Sequence, residues 1–283
     1  MMNKVMAIIR NYLELARPLN LFQAALAILV GYWLVQNPSI DLLIFTMLTV
    51  LTFTAGGNAI NDYFDLATDR INKPERVIPS GRISRNAALT FAIVMFVIGL
   101  LAMIPILNFY TAIIGISALI LLIIYTPVLK NLVIIGNLAV SLILGVAFIF
   151  TTAVFNQPAV GIIPAGLAFG FNFIREIIKD MEDVSGDSSR NINTLPAKYG
   201  KQKAKYLVLF GIILIFTGIP LPFVLGNYGR YYLWTVLLTV EIPLIYVFVG
   251  MLSDISKQNC AKMATILKYD IFFGLIAVFL GKF

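Results

Sequence analysis

Apolar stretches about as long as a bilayer is thick recur nine times along this chain of 283 residues, near 19–36, 42–61, 87–105, 109–127, 132–152, 158–176, 206–226, 231–251 and 264–281. Backbone polar groups in hydrocarbon must be satisfied within the segment that carries them, so each stretch is expected to be a helix. Composition agrees, at 60% hydrophobic and only 12% charged residues, where soluble domains carry about 25% charged residues. The expected architecture is all-α: a polytopic membrane helix bundle of nine transmembrane helices in a single domain over 1–283. The first apolar run is too long for a signal-peptide core and is read as a retained span.

Basic residues orient the bundle. With the N-terminus in the cytoplasm, nineteen of the twenty-one Lys and Arg residues fall on the inner side, and only Arg230 and Lys282 fall outside. The C-terminus is then outside, in a multi-pass protein of the cell membrane. The net charge of +7 is accounted for by this asymmetry and by anionic lipid at the inner surface, with no nucleic-acid partner implied.

Two loops on that inner face, roughly 62–86 and 177–205, carry the chemistry. Asp62, Asp65 and Asp69 follow the second apolar run, and Asp180, Asp183 and Asp187 follow the sixth with the same spacing of three then four. On a helix such steps share a face. Stacked carboxylates repel one another unless a cation lies between them, and an all-oxygen donor set suits Mg²⁺. Basic residues follow each triad, and these are what phosphate also wants. The repeated device suggests two pseudo-repeats, about 1–130 and 131–251, plus a ninth helix.

The chain has no histidine and one cysteine, Cys260. His-ligated haem, His-based zinc sites, His general bases and an intrachain disulfide are therefore excluded. Two facing acidic clusters with metal and cations would clamp a diphosphate, and the apolar helix walls would take a long tail, so a polyprenyl diphosphate is the expected substrate. Metal and Arg/Lys would stabilise charge on the departing diphosphate, and aromatic faces would stabilise the allylic cation.

The segment Asn61-Asp62-x-x-Asp65-x-x-x-Asp69, followed by Arg-Ile-Asn-Lys-Pro-Glu-Arg-x-Ile-Pro-Ser-Gly-Arg, resembles the first signature of the UbiA superfamily of intramembrane prenyltransferases. Lys179-Asp180-x-x-Asp183-x-x-Gly186-Asp187 resembles the second, and Tyr125-Thr-Pro-x-x-Lys130 resembles a further family motif. The resemblance covers essentially the whole chain. It implies nine helices around a central cavity open laterally to lipid, and Mg²⁺-dependent prenyl transfer from a diphosphate donor. It also implies that Asn61, Asp65, Asp69, Asp183 and Asp187 are metal ligands, directly or through water, with Asp62 and Asp180 accessory. The four catalytic carboxylates would be Asp65, Asp69, Asp183 and Asp187. Lys73, Arg76, Arg82, Lys130 and Lys179 are the expected phosphate-binding residues, with Arg17, Arg175 and Lys198 as further candidates. The wording around both motifs most resembles the archaeal digeranylgeranylglyceryl phosphate synthases, which join a geranylgeranyl group to the hydroxyl of geranylgeranylglyceryl phosphate. The expected partners are then a prenyl diphosphate donor, a lipid-like glyceryl phosphate acceptor and membrane lipid.

Other readings account for less. An aromatic-acceptor prenyltransferase would share the metal site. A transporter would place its charges near the bilayer midplane, whereas these gather at one face. An intramembrane aspartyl protease needs two aspartates and leaves the basic loops unexplained. Gly56 and Gly57 are expected to serve helix packing, and Arg70 and Arg85 to be topology signals or phosphate contacts with equal weight. Of Tyr63, Phe64, Tyr125, Phe171 and Phe173, one or two are expected to face the cavity. Glu241 lies within a span, where protonation or pairing is expected rather than catalysis.

Overall fold

A computed structural model of the protein describes residues 2–188 and 194–283, and for residues 2–4, 72 and 185–188 it describes the backbone alone. The helices are α1 (Met2–Ala16), α2 (Pro18–Leu34), α3 (Ile40–Phe64), α4 (Leu66–Asn72), α5 (Arg85–Met103), α6 (Phe109–Tyr125), α7 (Ile135–Val154), α8 (Ile162–Ser188), α9 (Leu195–Tyr199), α10 (Lys201–Gly218), α11 (Leu221–Val224), α12 (Arg230–Thr235), α13 (Glu241–Ser253) and α14 (Lys257–Leu280). A π-helical turn, Val236–Val240, joins α12 to α13 in one continuous span.

Each of the nine expected spans is helical. Among the described residues seven are long and apolar enough to cross a membrane on their own. The first and fourth expected spans are shorter: α2 is bent by 59° from α1 at Arg17 and Pro18, and α6 has 17 residues. Pro18 explains the break, since its ring sets the first turn of a new helix and leaves the preceding residue non-helical. The protein is a multi-pass, all-helical membrane protein.

Local chemistry sets the helix ends. Ser84 accepts from the Ala87 amide to start α5. Asn108 and Thr111 close a reciprocal capping box at α6, at 3.0 and 2.8 Å. Within α3, Thr46, Thr49, Thr52 and Thr54 each donate to the carbonyl four residues back, at 2.6 to 2.8 Å. That satisfies every one of those hydroxyls inside the span. Ile93, Val97 and Leu101 on α5 and Ile113, Ile116 and Ile120 on α6 point outward, at helical spacing, as a lipid-facing surface requires.

The helices form a ring. Helix α3 packs along α5, α7 along α8, and α14 against both α8 and α2. The largest buried cluster joins α2, α8, α10, α13 and α14. A second holds the loop after α4 in place: Val77, Ile78 and Ile83 are buried with Ala88, Ala92 and Phe96 of α5. Gly81 makes the turn in that loop at φ +76°, a conformation that costs other residues but not glycine.

Candidate active site

The ring encloses a cavity of about 660 Å³, within the range of ligand sites. Its deeper walls are apolar, with Val50, Phe53, Leu122, Phe148, Leu167 and Leu275 among them. Its polar end is built from the two motifs. Asn61, Asp65, Asp69, Lys73 and Arg76 line it from one side, and Arg175, Lys179, Asp180 and Asp183 from the other.

The first motif is not one uninterrupted helical stripe. α3 ends at Phe64, Asp65 is the junction and Asp69 lies on α4, yet the amides of Asp65, Asp69 and Lys73 still bond the carbonyls four residues back at 2.8 Å. The turn therefore carries on while the side chains fan out. Asp62 sits behind the cavity wall, held by Arg17 and, at 3.2 Å, by Arg76. Arg76 also bonds Asp69 at 2.6 Å. Asp65 is held by Lys130 at 2.6 Å, and Asn61 accepts from Thr126. Burial pushes the Asp69 carboxyl above the ordinary aspartate range, against the pull of Arg76 and with the added repulsion of Asp62 and Asp65.

On α8, Asn137 of α7 donates to Asp180 at 2.8 Å. Glu176 pairs with both Arg175 and Lys179 at 2.8 Å. The two motifs face each other. The charges acting on Lys73 include Lys179 and Asp183 from the second motif, and those acting on Tyr125 include Asp65 and Arg17 from one side and Glu176 and Asp180 from the other.

Most of the expected residues meet here, and some do not. Arg17 and Lys130 line the cavity with the residues above. Arg82 does not: both its terminal nitrogens bond Glu14 of α1, at 2.6 and 2.7 Å. Lys198 also lies off the cavity wall, 5.4 Å from the Tyr199 ring. The side chain of Asp187 lies outside the described residues. Arg85 stacks on Tyr63 at 4.2 Å instead of reaching the site. Of the aromatics, Tyr125 and Phe171 line the cavity. A Cβ on Gly56 or Gly57 would come within 2.7 Å of Phe96 or Leu122; Gly56 lies off the cavity wall, whereas Gly57 and Leu122 both line it. Glu241 is buried with one carboxyl oxygen unpartnered.

Asn20, Thr126, Asn137, Asn172 and Lys268 also line the site or bond its residues, and sequence reasoning missed them as site residues. Their signal was a lone polar residue in or beside an apolar run. Among the described residues no three acidic side chains already converge as a ready-made metal centre. The oxygens of Asp65 and Asp69 are instead taken up by Lys130 and Arg76. The donor set is nevertheless all oxygen, with carboxylates on both sides of the polar end, which fits a hard divalent cation.

The family model for "UbiA prenyltransferase family" matches residues 24–275. The chain belongs to the UbiA prenyltransferase family. Within it, a digeranylgeranylglyceryl phosphate synthase of Methanopyrus kandleri is 36% identical, covering 95% of this chain and 97% of that protein. One of the same name from Saccharolobus solfataricus is 34% identical, covering 97% of each. A solved structure described as giving insights into digeranylgeranylglyceryl phosphate synthase in membranes matches with a TM-score of 0.77 and 31% identity over 97% of this chain and 98% of that one. A UbiA homolog from Archaeoglobus fulgidus, solved with GPP and Mg²⁺, shares the fold at a TM-score of 0.65 and 17% identity, covering 95% and 99%. Family membership makes this chain a prenyltransferase.

Proposed function

We propose that the protein transfers a geranylgeranyl group from geranylgeranyl diphosphate to the free hydroxyl of geranylgeranylglyceryl phosphate, forming the two-chain core of archaeal ether lipids. The observation that carries this reading is the meeting of two acid–base motifs at the mouth of a cavity whose remaining walls are apolar. The near full-length likeness to synthases of that name supports the acceptor. In the reaction the allylic C1–oxygen bond breaks and the electron pair leaves with the diphosphate. The acceptor hydroxyl oxygen bonds C1, and the hydroxyl proton is released.

Asp65, Asp69 and Asp183, with Asn61, would hold Mg²⁺ directly or through water, and the UbiA homolog solved with GPP and Mg²⁺ supports that metal. A bound divalent cation would neutralise charge on the leaving diphosphate. Lys73, Arg76, Lys130 and Lys179, which line the cavity, would bind its oxygens. The apolar walls hold the prenyl chain and exclude water from the allylic cation, and Tyr125 and Phe171 present rings to it. The distribution of basic residues supports a cytoplasmic N-terminus and active site, with the C-terminus outside.

The test uses purified protein in detergent with Mg²⁺ and labelled geranylgeranyl diphosphate, with geranylgeranylglyceryl phosphate and 4-hydroxybenzoate as competing acceptors. A labelled two-chain glyceryl phosphate that disappears with EDTA is expected. Labelled prenyl-benzoate as the main product would assign the protein to the aromatic-acceptor branch instead.

A further inference from the structure

Lys268 is a lysine inside a transmembrane helix without an anion to face. It lies eleven residues into α14 and lines the cavity. Among the described residues it makes no hydrogen bond and no ion pair. The charges acting on it are those of Arg175 and Lys179, both of its own sign. Asp270, two residues further on, is no counter-charge: two residues turn a helix by about 200°, and Asp270 is buried outside the cavity lining with both carboxyl oxygens unpartnered.

Three cations therefore surround one part of the cavity, with Glu176 already shared between Arg175 and Lys179. Arg175 keeps a buried Nε–H that has no partner within the protein. An ammonium within a membrane span is costly, more so beside like charges, and it persists where a partner of opposite charge completes the site. An unsatisfied guanidinium N–H next to it asks for an acceptor oxygen. The missing group is an anion with several acceptor oxygens.

The donor diphosphate has its own cations. Arg76 and Lys130 already hold the carboxylates of the first motif, and Lys73, which lines the cavity, feels the charges of Asp183 and Asp69. Lys268 belongs to neither motif and reaches the cavity from the last helix.

We infer that Lys268, with Arg175, forms a second anion subsite that binds the phosphate monoester of the acceptor lipid. This rests on the acceptor proposed above and adds what selects it: a phosphate head satisfies the Arg175 N–H and the Lys268 ammonium together, and an uncharged or singly charged aromatic head leaves part of that charge uncompensated. The subsite consists of side-chain cations alone, so it binds the acceptor without a metal.

Direct binding to the full-length protein in detergent tests this without turnover. Affinities would be measured in EDTA for geranylgeranylglyceryl phosphate and for its phosphate-free analogue geranylgeranylglycerol. The affinity for geranylgeranyl diphosphate would be measured separately with Mg²⁺. Lys268→Met is expected to weaken the phosphate lipid by about tenfold or more, the worth of one charge-assisted hydrogen bond. Binding of the phosphate-free lipid and of the diphosphate is expected to stay within about twofold, which also shows that the variant is folded. Lys268→Arg should recover most of the phosphate-lipid affinity. Equal weakening of phosphate lipid and diphosphate, or unchanged binding of the phosphate lipid in Lys268→Met, overturns the subsite. A protein that binds the phosphate lipid through Lys268 but makes no two-chain product would instead overturn the proposed reaction and leave the subsite standing.

Discussion

Lys130 Nζ lies 2.6 Å from Asp65 Oδ2, joining the turn after α6 to the junction of α3 and α4 across 65 residues of sequence. The residue proposed to hold the metal and a residue proposed to bind phosphate are here each other's partner. A divalent cation on Asp65 would compete with Lys130 for the same oxygen and free the ammonium for the diphosphate. Asp65→Asn is therefore expected to lower kcat by about a hundredfold or more, as loss of electrostatic stabilisation of a leaving group does. Lys130→Met is expected to raise the donor KM by about tenfold and to leave the acceptor KM little changed. Steady-state kinetics on both variants, with size-exclusion profiles matching the parent protein, check this.

Arg82 is tied into the fold and lies off the cavity wall. Its bonds run to Glu14 and to the Glu75 carbonyl, at 2.6 to 2.7 Å, and it ties α1 to the loop after α4. Arg82→Ala should leave the donor KM within about twofold. The pair is over a third exposed on both sides, so a double-mutant cycle with Glu14→Gln should return at most about 1 kcal/mol. Arg82 holds the Glu14 carboxyl below its ordinary value of 4.5. The pair's contribution is then present above that ordinary value and is lost as pH falls through the lowered one. A cycle repeated in acid should return less than at neutral pH. A donor KM raised tenfold by Arg82→Ala would return this residue to the site.

Asp69 has the opposite sign. Burial raises its carboxyl above the ordinary 3.8. Its contribution to stability is present below 3.8 and is lost as pH rises through the raised value, because the fold disfavours the carboxylate. In EDTA, the wild-type melting temperature should fall relative to Asp69→Asn as pH rises through that window. Mg²⁺ should restore it at neutral pH, since a ligand bound only by the folded state stabilises it. Parallel melting curves of the two proteins across the window would show that Asp69 is not the strained group.

The spans and both motifs were legible because they are written in consecutive residues. Hydropathy marks each helix, and the three-then-four spacing marks Asp62–Asp69 and Asp180–Asp187. What closes the site was not legible, because it comes from residues distant in sequence. Lys130 on Asp65, Asn137 on Asp180, and Arg17 on Asp62 all depend on which helices become neighbours. Arg82 sits inside the first motif and looks like a phosphate ligand there. Only the fold puts Glu14 within its reach, where a bidentate carboxylate takes both its terminal nitrogens. Lys268 reads as one more inner-side positive charge until α14 is seen to turn it inward. The shortness of α2 and α6 was hidden as well, because Pro18 and the capping box at Asn108 set their starts without changing mean hydropathy.

The seam between α7 and α8 sets how far apart the two sides of the site stand, and Gly145 sets the seam. A Cβ at Gly145 would lie 2.7 Å from the Ala165 carbonyl oxygen. Backbone cannot swing aside as a side chain can, so Gly145→Ala must part the helices. Overpacking of this kind costs about 1–3 kcal/mol, and the better helix propensity of alanine offsets about 0.5–1 kcal/mol of it. Two turns along α7 is Asn137, whose 2.8 Å bond orients Asp180. Gly145→Ala should therefore lower the melting temperature by a few degrees and lower kcat as well, through a displaced second motif. Gly166, on α8, has nothing within 4 Å of a built Cβ. Gly166→Ala should be neutral or slightly stabilising, by up to about 1 kcal/mol. Thermal unfolding of both variants in one detergent separates seam packing from helix propensity. If Gly145→Ala melts with or above Gly166→Ala, the close approach of α7 and α8 does not hold the second motif in place.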